Sequence, residues 1–150
     1  TPATSPSAQS GRRAKPKQLL SLFSDLTMLG ETLARLDGAV PPERIFILTN
    51  RDQEKAVRAA CPGFPAENIV AEPAKRDTAP AVALGTGLVL RCDPEAVMAV
   101  LPADHRIADA AAFRRDLLAG ARVAAESDAL LTIGIRPTWP CPGFGYIEQG

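Results

Sequence analysis

The chain has 150 residues, enough for one domain with a substantial core. Its 17 basic and 17 acidic residues leave no formal net charge, which removes the electrostatic case for a nucleic-acid or anionic-membrane partner. Apolar residues make up 46% and charged residues 23%, an ordinary globular profile. No apolar run is long enough to span a bilayer, and residues 1–10 lack the apolar core of a secretory signal, so the cytosol is the expected compartment.

Cys61, Cys92 and Cys141 stand far apart, with no CxxC pair and a single histidine, His105. A structural zinc site needs about four soft ligands, so these cysteines are expected to be buried, inert thiols in a reducing compartment.

Residues 1–15 are rich in Ser, Thr, Pro, Ala and basic residues without apolar periodicity; they read as a disordered or displaced tail preceding a domain over 16–150. Leu29, Leu33 and Leu36 recur at helical spacing, and Gly38 follows as a stop signal. Residues 44–49 predict a buried strand. Asn50 then offers a helix cap with Gln53 three residues on, as in a capping box. Ala56, Val57 and Ala60 share one face of that helix, which ends before Pro62. Residues 68–71 predict a second strand. Thr78 is placed to cap the next helix, through Val82, Leu84 and Leu88, with Pro80 tolerated in its first turn.

Residues 96–101, wholly apolar, predict a third strand covered on both faces. Asp109 is placed to cap a helix on which Phe113, Leu117, Ala121 and Ala125 repeat every four residues, and residues 129–135 predict a fourth strand. Strands alternating with helices in this way imply an α/β fold: a mostly parallel sheet with helices on both faces.

In such sheets ligands bind at the carboxyl ends of the strands. Asp104, just past the third predicted strand, can hold a hard cation through its oxygens or simply cap a turn; spacing does not choose between them. Residues 72–81 run from a strand end into a helix N-terminus, where free N–H groups can meet an anion or the edge of a base, or form an ordinary capped loop. Lys17 can neutralise a phosphate or stand solvated. Residues 142–147 are glycine-rich, which permits close approach to a ligand and equally a tight turn. His105 reads as a satisfied or exposed side chain rather than a general base.

In order and spacing, five segments resemble the bacterial mannose-1-phosphate guanylyltransferases, members of the sugar-phosphate nucleotidyltransferases. They are PKQLLSL at 16–22, LTN at 48–50, EPAKRDTAPAVAL at 72–84, LPADHRI at 101–107 and GIRPTWPCPGFGYIE at 134–148. The resemblance runs from Pro16 to the last residue and covers less than half of a usual family member. It implies a Rossmann-like nucleotide-diphospho-sugar transferase fold, present here in part. It also implies GTP and mannose 1-phosphate as substrates, GDP-mannose and pyrophosphate as products, and Mg2+ as the cofactor. By the same resemblance Asp104 corresponds to the magnesium ligand and Lys17 to the signature lysine near the phosphates. Thr78, Ala79 and Pro80 match the loop that meets the base, and Gly145 and Tyr146 the segment lining the sugar side.

The departures from the family pattern carry expectations too. Family members begin with a strand and a loop of the form Gly-Gly-x-Gly-x-Arg, and only Arg12 corresponds to that stretch, as a nucleotide-binding residue. Asp77 replaces an asparagine of the family motif, and Cys141 and Pro142 stand where Glu and Thr are frequent. The family's later Phe-Val-Glu-Lys-Pro segment and second metal-binding aspartate have no counterpart. The expectation is therefore a chain that does not turn over alone. The alternative is a non-catalytic module of the same fold that binds a nucleotide or sugar nucleotide. Loss of a central strand would expose backbone and apolar surface on its neighbours, which predicts marginal stability or association into a homo-oligomer.

Overall fold

A computed structural model describes residues 16–148 apart from Phe23, Lys75, Arg76 and Asp128. The tail read from residues 1–15, and Arg12 with it, lies outside the described residues.

The chain enters through a 3-10 turn at Lys17–Leu19, closed by bonds from the Leu19 N–H to the Pro16 carbonyl (2.9 Å) and from the Leu20 N–H to the Lys17 carbonyl (3.0 Å). Leu19 is 2% exposed and anchors this turn in the core. Helix α1, Met28–Leu36, starts where Thr27 Oγ1 accepts from the Gly30 N–H at 3.0 Å, satisfying one of the donors that every helix start leaves free. It stops as expected at Gly38, whose φ of 74° is a left-handed conformation that glycine adopts without steric cost.

Strand β1, Ile47–Asn50, pairs in parallel with β2, Ile69–Glu72, in the register Ile47↔Ile69 to Asn50↔Glu72. Parallel neighbours need a crossover, and helix α2, Arg51–Ala60, supplies it. Asn50 caps α2 through its Oδ1, which accepts from the Gln53 N–H at 3.0 Å. Only this half of the expected capping box forms, because the Gln53 side chain turns to Gln18 instead. Arg58 fastens the far end of the crossover. Its guanidinium forks onto Glu54 Oε1 (3.0 and 2.8 Å) and also donates to the Ala66 and Ile69 carbonyls (2.6 and 2.8 Å). Asn68 donates to the carbonyls of Pro42 and Glu43, tying the entrance of β2 to the turn before β1.

The core gathers Leu19, Leu29, Ile47, Val57, Cys61 and Ile69, with Leu33, Ala60, Phe64 and Ala103 packed around it. Helix α3, Thr78–Cys92, lies over β1: a Cβ added at Gly85 would stand 3.4 Å from Leu48 Cδ1. Its cap position is Asp77, not Thr78, which is already the first helical residue, and Asp77 makes no side-chain cap bond. Asp77 holds φ 62°, ψ −163°, a backbone region costly for a side-chain-bearing residue. Helix α4, Ala110–Glu126, begins at Asp109 as the sequence implies, with Asp109 Oδ1 accepting from the Ala112 N–H at 2.8 Å. It packs on α1, where Arg114 donates to the Arg35 carbonyl at 3.1 Å and the buried Arg35 guanidinium lies 5.7 Å from the Phe113 ring centroid. Burial pulls the Arg35 pKa down, against the opposing pull of Glu31.

Two expected strands do not form. Residues 96–101 and 129–135 have no ladder partner, and among the described residues the sheet is the single pair β1–β2. The expected larger sheet is thus reduced to a small parallel one within a mixed α/β chain. An apolar run states that a segment wants cover; it does not supply the neighbour whose N–H and C=O groups make it a strand. Val97, Val100, Leu130, Ile133 and Ile135 are correspondingly exposed. No helix among the described residues is long and apolar enough to cross a membrane.

The cysteines divide rather than all being buried. Cys61 is in the core, Cys141 is half-buried and Cys92, at the end of α3, is exposed. Burial pushes the Cys61 thiol pKa up. Its protonated form therefore favours the fold below the ordinary thiol range, and that contribution is lost as pH rises through the raised value. With a thiol reagent near neutral pH, Cys92 is expected to label first and Cys61 last, which mass spectrometry of a labelling time course measures. Leu19→Ala should cost roughly 2–5 kcal/mol. Leu130→Ala, at a fully exposed position, should stay within about 0.5 kcal/mol; urea unfolding of both variants checks the contrast.

Candidate functional site

Because β1 and β2 run in parallel, their carboxyl ends open on one side, and the loops leaving them converge there. Two clefts border this pair. The first, about 250 Å³, is lined by β1 residues Ile47, Leu48 and Thr49, by Gln18 from the entry turn, and by Pro102, Ala103 and Asp104. The second, about 300 Å³, lies at the carboxyl ends themselves, between Asn50, Arg51, Asp52 and Gln53 at the start of α2 and Glu72, Pro73 and Ala74 after β2.

Asp104 is exposed on the wall of the first cleft, although the strand expected just before it does not form. Lys17 is exposed on the turn that brings Gln18 into the same cleft, but its own side chain does not line it. The entry turn and the 102–104 segment come from parts far apart in the chain and border one cleft, with Leu19 and Ala103 both packed into the same core. His105 is exposed beside Asp104.

Thr78, Ala79 and Pro80 form the exposed first turn of α3 and line neither cleft. The first three residues of their motif, Glu72, Pro73 and Ala74, do line the second. Gly145 and Tyr146 are exposed and line neither. The Tyr146 hydroxyl is engaged locally: it accepts from the Cys141 N–H at 2.6 Å and donates to the Cys141 carbonyl at 3.1 Å, closing the 141–146 loop on itself.

Gln18, Thr49, Gln53 and Glu72 line the clefts without having been given a role of their own, although Gln18 and Glu72 fall within the marked segments 16–22 and 72–81. Gln18 adjoins Lys17 in the PKQ run, and Gln53 was legible only as a helix-start residue. Glu72 ends β2, where the carboxyl-end rule marks residues 72–81. Thr49 was legible only as the last residue of the strand expected over 44–49 and as part of the LTN segment. Its side chain is buried, and its hydroxyl has no hydrogen-bond partner among the described residues.

As for a metal, no group of three or more His, Cys, Asp or Glu side chains gathers among the described residues. Magnesium does not require one. It is commonly held by one or two carboxylates, with substrate phosphates and water completing the octahedron. The exposed Asp104 carboxylate on a cleft wall fits that single-ligand role.

A solved structure from Thermus thermophilus, described as mannose-1-phosphate geranyltransferase, matches with a TM-score of 0.64 and 39% identity, over 75% of this chain and 32% of that one. The mannose-1-phosphate guanylyltransferase ManC of Salmonella typhimurium is 43% identical over 141 residues, 90% of this chain and 28% of the relative. Mannose-1-phosphate guanylyltransferase of Escherichia coli K12 is also 43% identical, over 139 residues, 90% of this chain and 29% of its own length. The chain thus spans less than a third of the curated relatives it matches. The family model for nucleotidyl transferases matches residues 11–150, and the chain belongs to that family.

Proposed function

We propose that this chain is part of a mannose-1-phosphate guanylyltransferase and carries one wall of its nucleotide site. The observation that carries this reading is the meeting of the Lys17 turn and Asp104 at a single cleft beside β1. A phosphate oxygen of mannose 1-phosphate attacks the α-phosphorus of GTP, the bond from that phosphorus to the bridging oxygen breaks, and pyrophosphate leaves with the electron pair. No side chain need form a covalent bond, so the protein's part is positioning and charge neutralisation. Asp104 would hold Mg2+, which when bound offsets charge on the triphosphate. Lys17 would add a compact positive charge near the phosphates, and Arg12 a second cation on the nucleotide. Thr78, Ala79 and Pro80 would meet the base through the free N–H groups of the first turn of α3. Gly145 and Tyr146 would face the sugar.

One observation favours binding without turnover by the 150 residues alone. The segments at 96–101 and 129–135 are unpaired, and Gly145 and Tyr146 line neither cleft. A chain in this state can offer a nucleotide wall without bringing the sugar side against it.

Thermal unfolding with and without Mg-GTP tests the binding half. At a hundredfold excess over the dissociation constant, stabilisation of about 2.7 kcal/mol is expected. Asp104→Asn should abolish the part that depends on magnesium. An unfolding curve unmoved by Mg-GTP at any concentration would sink the nucleotide assignment. Turnover is tested by a chimera in which residues 16–148 replace the aligned segment of the Salmonella typhimurium relative. It should release pyrophosphate from GTP with mannose 1-phosphate in preference to other pairs, and Asp104→Asn should slow it by about a hundredfold or more.

A further inference from the structure

The side chain that the expected capping box would have turned back toward Asn50 goes elsewhere. Gln53 sits in the first turn of α2, and its Oε1 accepts from Gln18 Nε2 at 2.7 Å, across 35 residues of sequence. Gln18 is the middle residue of the Lys17–Leu19 turn. Among the described residues that turn is also attached through the buried Leu19 side chain and through the bond from the Met28 N–H to the Leu20 carbonyl at 3.0 Å. Both attachments lie on the C-terminal side of Gln18. Among the described residues, the Gln18–Gln53 bond is therefore the one of these attachments nearest to Lys17. It also stands between the two clefts, since Gln18 lines the first and Gln53 the second.

We propose that Gln53 is a positioning residue: by accepting from Gln18 it latches the turn that carries Lys17 to the start of α2, and so sets where Lys17 stands relative to the Asp104 cleft. The part of this that concerns nucleotide rests on the function proposed above; the latch itself does not. A half-buried amide pair is suited to the task. Each partner offers both a donor and an acceptor, so the bond forms without desolvating a charge. Asn50 fixes the Gln53 backbone through its cap bond, which leaves the Gln53 side chain free to reach across.

Amide hydrogen exchange of the intact chain tests the latch without any ligand. The Leu19 and Leu20 N–H groups close the turn, and the β1–β2 ladder serves as the internal control. Gln53→Met keeps the length of the side chain but loses the acceptor. It should speed exchange at Leu19 and Leu20 roughly two- to tenfold, the range expected for one lost hydrogen bond, while the ladder amides keep their wild-type rates. Gln53→Glu retains an acceptor and should restore wild-type exchange, as should Gln18→Glu, which Gln53 can serve as donor. The double Glu variant faces two carboxylates with no donor between them and should match Gln53→Met or exceed it. Unchanged exchange at Leu19 and Leu20 in Gln53→Met, or a Gln53→Glu variant no better than Gln53→Met, would overturn the latch. Mg-GTP titrations of the same variants read the consequence: weaker binding in Gln53→Met and recovery in Gln53→Glu. If Lys17→Gln leaves the Mg-GTP response intact, the role given to Lys17 fails while the exchange rates still decide the latch.

Discussion

The sheet, and both clefts beside it, depend on four residue pairs, Ile47↔Ile69 through Asn50↔Glu72. Two parallel strands of this length are marginal by themselves, and the pairing persists because its crossover is clamped at both ends. Asn50 caps α2 as β1 leaves the sheet, and Arg58 bonds to the carbonyls of Ala66 and Ile69 as β2 enters it. Val57, fully buried between them, turns the helix face toward Ile47 and Ile69. A one-residue slip would carry Ile47 and Ile69 to the opposite face and empty this core. The same register sets Asn50 beside Glu72, and that juxtaposition makes the second cleft.

The first cleft has a different origin. It lies along β1, walled by the entry turn and by residues 102–104, all held by the shared apolar core rather than by backbone ladders. Its polar groups outside β1 are placed by packing and side-chain bonds rather than by a ladder. Among them, Gln18 is bonded by its side chain to the helix that the sheet itself orients. Thr49 illustrates the cost of this arrangement. It belongs to the inward-facing set of β1, so it is buried with Ile47, yet its hydroxyl finds no partner among the described residues. A buried hydroxyl of this kind is ordinarily satisfied.

Local signals were legible in the sequence, and signals that need a distant partner were not. Asn50, Asp109 and Gly38 each act within a few residues, through side-chain bonds to neighbouring N–H groups or through one backbone angle, and each stands where its neighbours predicted. Thr78 misled by one position, since Asp77 takes the cap place in a strained conformation that no propensity favours. The strands expected at 96–101 and 129–135 failed for a different reason. Their apolar character was read correctly, but strand formation is a property of a pair. The cleft linings followed the same division. Asp104, marked by its place after an apolar run, lines the first cleft, whereas Gln18 and Gln53 become a pair only once α2 has crossed back over the sheet.

The exposed apolar residues bear on how much of a catalyst these residues can form. Val97 and Val100 precede the turn that carries Asp104, and Thr86 Oγ1 lies 3.9 Å from Met98 Sδ, so this segment rests against α3. It is held on that side by packing, with no ladder to fix its height along β1. Asp104 adjoins Ala103, which packs against the core. Catalysis by positioning tolerates displacements of well under an ångström, a tolerance that loosely packed walls do not meet. On the function proposed above, nucleotide binding would ask less, because a flexible triphosphate and its magnesium could adjust to one lysine and one carboxylate. On that same proposed function, ordered turnover would therefore need the Asp104 segment to be braced by further protein; the relatives are more than three times as long.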